Sequence, residues 1–188
     1  MNAGYRPSGR DRFRIRARRA LLQRLRSLVE PEGTRLLDLG GGTGATTVTF
    51  GTGARELVVL EPDARKVARG RAAGAPVTFV PGVAEALPYG DGRFDRVVSL
   101  LSFHHFSEAD GALREAARVL APGGRLVVYD FDRSTLSGRW VAFFEGHFAR
   151  HPMHFVTAAD LERQVRAAGF RGTRRESFGS GAFVVAER

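Results

Sequence analysis

Cysteine is absent from this 188-residue chain, and lysine is nearly so, because every one of the 29 basic residues except Lys66 is arginine. Without thiols there is no disulfide scaffold, no thiolate metal site and no cysteine nucleophile. That pattern suits a reducing compartment, and cytoplasmic localisation is the expectation. No apolar run approaches the roughly 20 residues needed to cross a bilayer. The Arg-studded N-terminus also lacks the apolar stretch of a signal peptide. A soluble, unexported protein without a membrane span is expected. What remains is ordinary globular composition, 43% hydrophobic and 26% charged, at the length of one domain.

The net charge of +9 is unevenly placed. Residues 1–35 hold ten arginines against Asp11, Glu30 and Glu32, which leaves only +2 on the remaining 153 residues. The chain is a near-neutral body with a basic arm, and any argument about anionic partners concerns the arm. Residues 1–11, with Gly4, Pro7, Ser8 and Gly9, read as a tail. Phe13, Ala17, Leu21, Leu25 and Leu28 then recur at helical spacing with arginines on the other face, which predicts one amphipathic helix closed by Pro31 to Gly33. The arginines are either a solvated helix face or a grip on an anionic partner. Residues 1–32 form this tail and helix, and 33–188 a second region.

From Arg35 onward β-type runs alternate with helical patterns. Strands are expected at Arg35–Leu39, Glu56–Leu60, Val77–Val80, Phe94–Leu101 and Arg125–Phe131, and helices at Asp63–Ala73 and Ala109–Leu120. This alternation implies parallel βαβ units. Thr157 caps a further helix through Ala168, and Gly172–Phe178 and Ala182–Glu187 are joined by Gly179-Ser180-Gly181, so the last two strands must be antiparallel. The fold class is α/β: a Rossmann-like, seven-stranded, mostly parallel sheet with a C-terminal antiparallel hairpin and helices on both faces.

The motif richest in chemistry closes the first strand: Leu36-Leu37-Asp38-Leu39-Gly40-Gly41-Gly42-Thr43-Gly44. Glycines there admit close backbone approach to a ligand, and amides opening a helix favour negative charge. Glu61, 21 residues after Gly40, stands just past the second strand, where a carboxylate can accept from both ribose hydroxyls. Together they specify a nucleoside-containing cofactor at the carboxyl edge of a parallel sheet. Read as Gly40-x-Gly42-x-x-Ala45, the turn also fits a dinucleotide fingerprint.

Five motifs in order resemble those of class I S-adenosylmethionine-dependent methyltransferases, of the small-molecule, UbiE/type 11 domain group. They are Asp38 with its glycine turn, Val59-Leu60-Glu61-Pro62-Asp63, Pro81 to Pro88 with Asp91-Gly92-Arg93-Phe94-Asp95, Val97 to Ser99 leading to His104-His105, and Arg118 to Gly124. The resemblance covers about residues 33–188. It implies S-adenosylmethionine as cofactor and S-adenosylhomocysteine as product. It implies that Asp38 orients the methionine amino group, that Gly40, Gly41 and Gly42 pass beneath the methionine portion, that Glu61 holds the ribose, and that Pro62 lies against the adenine. Ser99 joins this cofactor set, and Ala84 offers its backbone amide. Val83 completes the set, at a position where family members often carry an acid and this chain has valine.

Methyl transfer from a sulfonium is an in-line displacement, and a base is needed only where the acceptor retains its proton. His104 and His105 follow the fourth strand, where the resemblance places the acceptor; they are either bases or loop braces. Ser99-Leu100-Leu101-Ser102-Phe103 is not the Asn/Asp-Pro-Pro-aromatic loop of base-amine methylation, and no acidic cluster suggests a magnesium-dependent catechol enzyme. His147 and His151, near Glu145 and His154, are interrupted by Pro152, and no metal is expected. Phe103, Trp140 and Phe144 are candidates for the acceptor wall, with Ser134 to Phe155 either covering the acceptor or packing on the sheet.

The expected function is S-adenosylmethionine-dependent methyl transfer to a small-molecule acceptor, with Tyr5 or Phe13 of the arm closing over the cofactor. The alternatives are an RNA methyltransferase that grips phosphates with the arm, and a cofactor-binding protein without transfer activity. A nucleotide oxidoreductase fits the terminal hairpin and the placement of Asp38 poorly. Nothing in the sequence specifies an oligomeric state.

Overall fold

The computed structural model describes residues 5–140, 143 and 153–188. Seven strands form one sheet in the order β3-β2-β1-β4-β5-β7-β6. They are β1 Arg35–Leu39, β2 Glu56–Leu60, β3 Thr78–Val80, β4 Phe94–Leu100, β5 Leu120–Phe131, β6 Arg171–Phe178 and β7 Gly181–Glu187. The first five pair in parallel, and β7 runs antiparallel to both β5 and β6. The expected sheet and its closing hairpin are therefore present. β5 begins earlier than the apolar run suggests, because a register shift lets Leu120 pair with Phe94 ahead of the Pro122-Gly123-Gly124 stretch. The outer strand β6 exposes Arg171, Arg174 and Arg175, which keeps that edge solvated.

The helices are α1 Gly9–Ala17, α2 Arg19–Val29, α3 Ala45–Phe50, α4 Ala64–Ala72, α5 Ala109–Val119 and α6 Ala158–Ala167. Residues 136–140 are also helical. Ser8 caps α1, Asp63 caps α4 and Thr157 caps α6, each side chain accepting from a backbone amide of the first turn. One sheet face buries Leu37, Leu39, Val97 and Val128 with Leu113 and Ala116 of α5 and Leu161 and Val165 of α6. The opposite face buries Leu36, Val98, Val127 and Phe183 with Phe50 of α3 and the leucines of α2.

The single amphipathic helix of the arm is corrected to two. Arg18, at φ −105° and ψ 16°, interrupts it, and the break rotates α1 out of phase with the leucine stripe. α2 buries Leu21, Leu22, Leu25 and Leu28, whereas α1 buries no residue fully. Ile15 of α1 packs instead of Phe13, which is 73% exposed. The boundary read between residues 32 and 33 falls in the turn from α2 to β1. No helix among the described residues is long and apolar enough to cross a membrane.

Candidate active site

Parallel strands leave their carboxyl ends at one edge, and the loops leaving β1, β2, β3 and β4 enclose a cavity of about 690 Å³ there. Asp38, Gly40–Gly42, Glu61, Pro62, Val83 and Ala84 all line it. All eight were singled out for the cofactor by resemblance and Glu61 also by its spacing, and the structure brings them to one place.

Asp38, next to last in β1, is buried. Its Oδ2 accepts from the Thr47 hydroxyl at 2.5 Å, while its Oδ1 has no hydrogen-bond partner among the described residues. Burial pushes its carboxyl up to about 7; the Thr47 bond opposes this, and the negative charge of Glu61 adds to it. A buried carboxylate oxygen lacking a donor is costly, and a cationic ligand group would satisfy it. Gly41 is tied to this residue by space, since a Cβ there would lie 2.6 Å from Asp38 Oδ2. Gly40, at φ +73°, sits over Ser102, whose hydroxyl donates to the Leu39 carbonyl at 2.6 Å.

Glu61 is 2% exposed, and three groups of the protein fix its carboxylate. Oε2 accepts from the Gly42 amide at 3.0 Å, and Oε1 accepts from the Asp63 amide at 3.1 Å and from Lys66 Nζ at 3.2 Å. The acid past β2 is thus locked to the glycine turn past β1, as a group reading a ligand that spans both loops would be. Val83 is 47% exposed on the wall, with the buried Ala84 beside it. Glu85 is engaged elsewhere, its Oε1 accepting from the amides of Ser107 and Glu108 at 2.7 and 3.2 Å.

Ser99 lies behind the wall, 1% exposed and 2.8 Å from the Ser102 hydroxyl. Phe103 is in the core at 1% exposure, and Trp140 is 62% exposed and off the cavity wall, so the structure brings neither to an acceptor surface there. Phe144, His147 and His151 lie outside the described residues.

The two histidines of the 3₁₀ turn Phe103–His105 differ. His104 is buried and doubly held by Asp130 of β5: its backbone amide donates to Oδ2 at 3.0 Å, and its ring Nδ1 lies 2.7 Å from Oδ1. Phe155 stacks on the same ring at 4.7 Å. His105 lies on the cavity wall with its residue exposed. Asp130 was not picked out in the sequence, although an acid ending the apolar run Leu126-Val127-Val128-Tyr129 at the same sheet edge was a usable signal. Leu101, also on the wall, adopts φ +53°, a left-handed conformation that is strained for a residue with a Cβ.

The arm reaches this site by other residues than expected. Asp11, Arg14 and Arg18 line the cavity, and the Thr43 hydroxyl donates to Asp11 Oδ1 at 3.2 Å. Phe13 points to solvent. The Arg6 amide donates to the Ala73 carbonyl at 2.8 Å, fastening the start of the arm beside α4.

Residues 37–128 match the methyltransferase domain family model. The chain is 29% identical over 165 residues to an uncharacterized methyltransferase of Synechocystis sp., covering 86% of this chain and 78% of that one. It is 32% identical over 163 residues to a malonyl-[acyl-carrier protein] O-methyltransferase of Methylococcus capsulatus, covering 84% and 59%. It spans between 40% and 59% of the length of that relative and of several ubiquinone or menaquinone methyltransferases. The S-adenosylmethionine-dependent methyltransferase of Mesorhizobium loti shares its fold at a TM-score of 0.76, with 21% identity over 92% of this chain and 98% of that one. The sheet order, the glycine turn with its paired acids and the matched segment agree in their likeness to class I S-adenosylmethionine-dependent methyltransferases.

Proposed function

We propose that the chain transfers a methyl group from S-adenosylmethionine to a small organic acceptor, in a cavity where Asp38 and Glu61 hold opposite ends of the cofactor. The observation that carries this reading is the buried, unpartnered Oδ1 of Asp38 on the wall shared with the locked carboxylate of Glu61. Asp38 receives the ammonium group, the Gly40–Gly42 backbone passes beneath the amino-acid portion, and Glu61 accepts from the ribose. Pro62, Val83 and Ala84 form the adenine wall. When bound, the cofactor supplies an electrophilic methyl group on a sulfonium. The chain's task is then alignment and exclusion of water.

The acceptor occupies the β4 and β5 side of the cavity, beside Leu100, Leu101, His105 and Phe131. His104, anchored to Asp130, sets the shape of the turn, and His105 presents the titratable ring to the acceptor. The apolar share of this wall favours a compact organic molecule over a polynucleotide. Calorimetry with S-adenosylmethionine, S-adenosylhomocysteine and NAD tests the cofactor assignment. Micromolar binding of the first two is expected, and a preference for NAD overturns the reading. Turnover of His105→Ala at saturating cofactor tests the proton-accepting role, which unchanged turnover removes.

A further inference from the structure

The basic arm has no counterpart in the matched domain, which begins at residue 37, yet α1 lies on the cofactor cavity. Asp11 and Arg14 are one helical turn apart and share a face. Asp11 is fixed to the glycine turn through Thr43 at 3.2 Å, and Arg14 lines the same cavity as Gly40–Gly42. The arm's start is pinned as well, through Arg6 to Ala73 and through the Ser8 cap of α1. Arg14 is therefore carried on an anchored helix over the loop that cradles the amino-acid end of the cofactor.

That end carries a carboxylate as well as an ammonium group. Asp38 answers the ammonium. Four cations line the cavity: Arg14, Arg18, Lys66 and Arg69. Lys66 is bonded to Glu61 at 3.2 Å, on the ribose side. Arg69 lies one turn further along α4 and interacts electrostatically with Asp63. Arg18 sits at the break between α1 and α2 and interacts with Tyr129 of β5, toward the acceptor side. The guanidinium of Arg14 makes no hydrogen bond or ion pair among the described residues, which leaves its donors for a ligand. The acids that line the same cavity are Asp11 on its own helix and Asp38, Glu61, Asp63 and Glu85 on other elements.

We infer that Arg14 binds the cofactor's carboxylate, so that the N-terminal helix is a working wall of the cofactor site and a determinant of which nucleosides it accepts. This rests on the cofactor reading above. Guanidinium and carboxylate pair through two parallel N–H···O bonds, and such a contact distinguishes an amino-acid-bearing nucleoside from one without the carboxylate.

The test compares S-adenosylmethionine with decarboxylated S-adenosylmethionine, which keeps the sulfonium, ribose, adenine and amine. Calorimetric affinities are measured on the full chain for wild type, Arg14→Ala, Arg14→Lys and the exposed control Arg12→Ala. Arg14→Ala should weaken S-adenosylmethionine by about tenfold to a hundredfold and leave the decarboxylated ligand unchanged. Arg14→Lys should recover part of the loss, and Arg12→Ala should match wild type. Equal affinities of wild type and Arg14→Ala for S-adenosylmethionine overturn the assignment, as does an equal loss for both ligands. Wild type that binds neither ligand refutes the cofactor reading itself, an outcome distinct from failure of the Arg14 contact alone. Because Arg14 is exposed and supports no core packing, the variants should melt with wild type; a shared melting temperature confirms that the affinities compare folded proteins.

Discussion

Asp130 holds His104 at two points, with Oδ2 accepting from the backbone amide at 3.0 Å and Oδ1 lying 2.7 Å from ring Nδ1. The same Oδ1 accepts from the Phe131 amide at 2.7 Å. The carboxylate thus ties the turn after β4 to the end of β5, and with it the part of the wall where the acceptor is proposed to lie. Removing one member of a buried pair strands the other in a poorly solvated site. Asp130→Ala should destabilise the protein by about 3 kcal/mol, read as a lower urea midpoint with an unchanged slope. A midpoint equal to wild type would refute the bracing role. Cofactor affinity should fall much less than stability, since Asp130 lies outside the set around Asp38 and Glu61.

Asp38 gives the site a pH dependence of defined sign. Its carboxyl titrates near 7 in the folded chain, against an ordinary value of 3.8. Between roughly those two values the folded state keeps a proton that the unfolded chain releases. Stability of the cofactor-free protein should therefore decline as pH rises through that window, and level off above about 7. Cofactor binding should show the opposite trend, because in the proposed contact an ammonium group pairs with the ionised carboxylate. Affinity should rise from pH 5.5 to pH 8, with proton release on binding at the lower end. Calorimetry in buffers of different ionisation enthalpy counts that proton. Asp38→Asn should abolish its release, and a wild-type affinity independent of pH would remove Asp38 from the contact.

Glu61 supports a second prediction on affinity. Its carboxylate is fixed by the amides of Gly42 and Asp63 and by Lys66, so little ordering remains when a ribose adds its hydroxyls. Glu61→Ala should weaken cofactor binding by about 1–3 kcal/mol. Adenosine, which has the ribose but no amino-acid end, should lose a similar factor, whereas a loss confined to S-adenosylmethionine would point to a displaced glycine turn.

Residues that act through chain-local geometry were legible in the sequence. Asp38 lies near the end of one apolar strand and Glu61 just past another, and glycines at positive φ mark the turn after the first, so strand ends, turn and acids could be placed together. Groups that act through long-range packing were not. Asp130 is 26 residues from His104, and only the β4–β5 pairing makes them neighbours. The arm misled for a local reason. A single helix carried through Arg18 would align Phe13 with the leucines, but the break there turns Arg14 toward the cavity and Phe13 toward water. Phe103 and Trp140 do not line the cavity, and aromatic content alone does not separate core, wall and surface.

Gly40 tests how closely the turn is fitted to its floor. Its φ of +73° is left-handed, and a Cβ would lie 2.7 Å from Ser102 Cβ. Ser102 is held in turn by its bond to the Leu39 carbonyl, so it has little room to retreat. Gly40→Ala therefore meets two penalties, a conformational one of about 1–2 kcal/mol and a steric one that shifts the turn away from β4. Cofactor affinity should drop at least tenfold in calorimetry, together with a lower melting temperature. Adding Ser102→Gly relieves the clash but not the backbone strain, so the double variant should recover part of the affinity. Full recovery would assign the whole defect to packing, and no recovery would assign it to φ alone. A single Gly40→Ala variant with wild-type affinity would show that the turn does not approach the cofactor at this position.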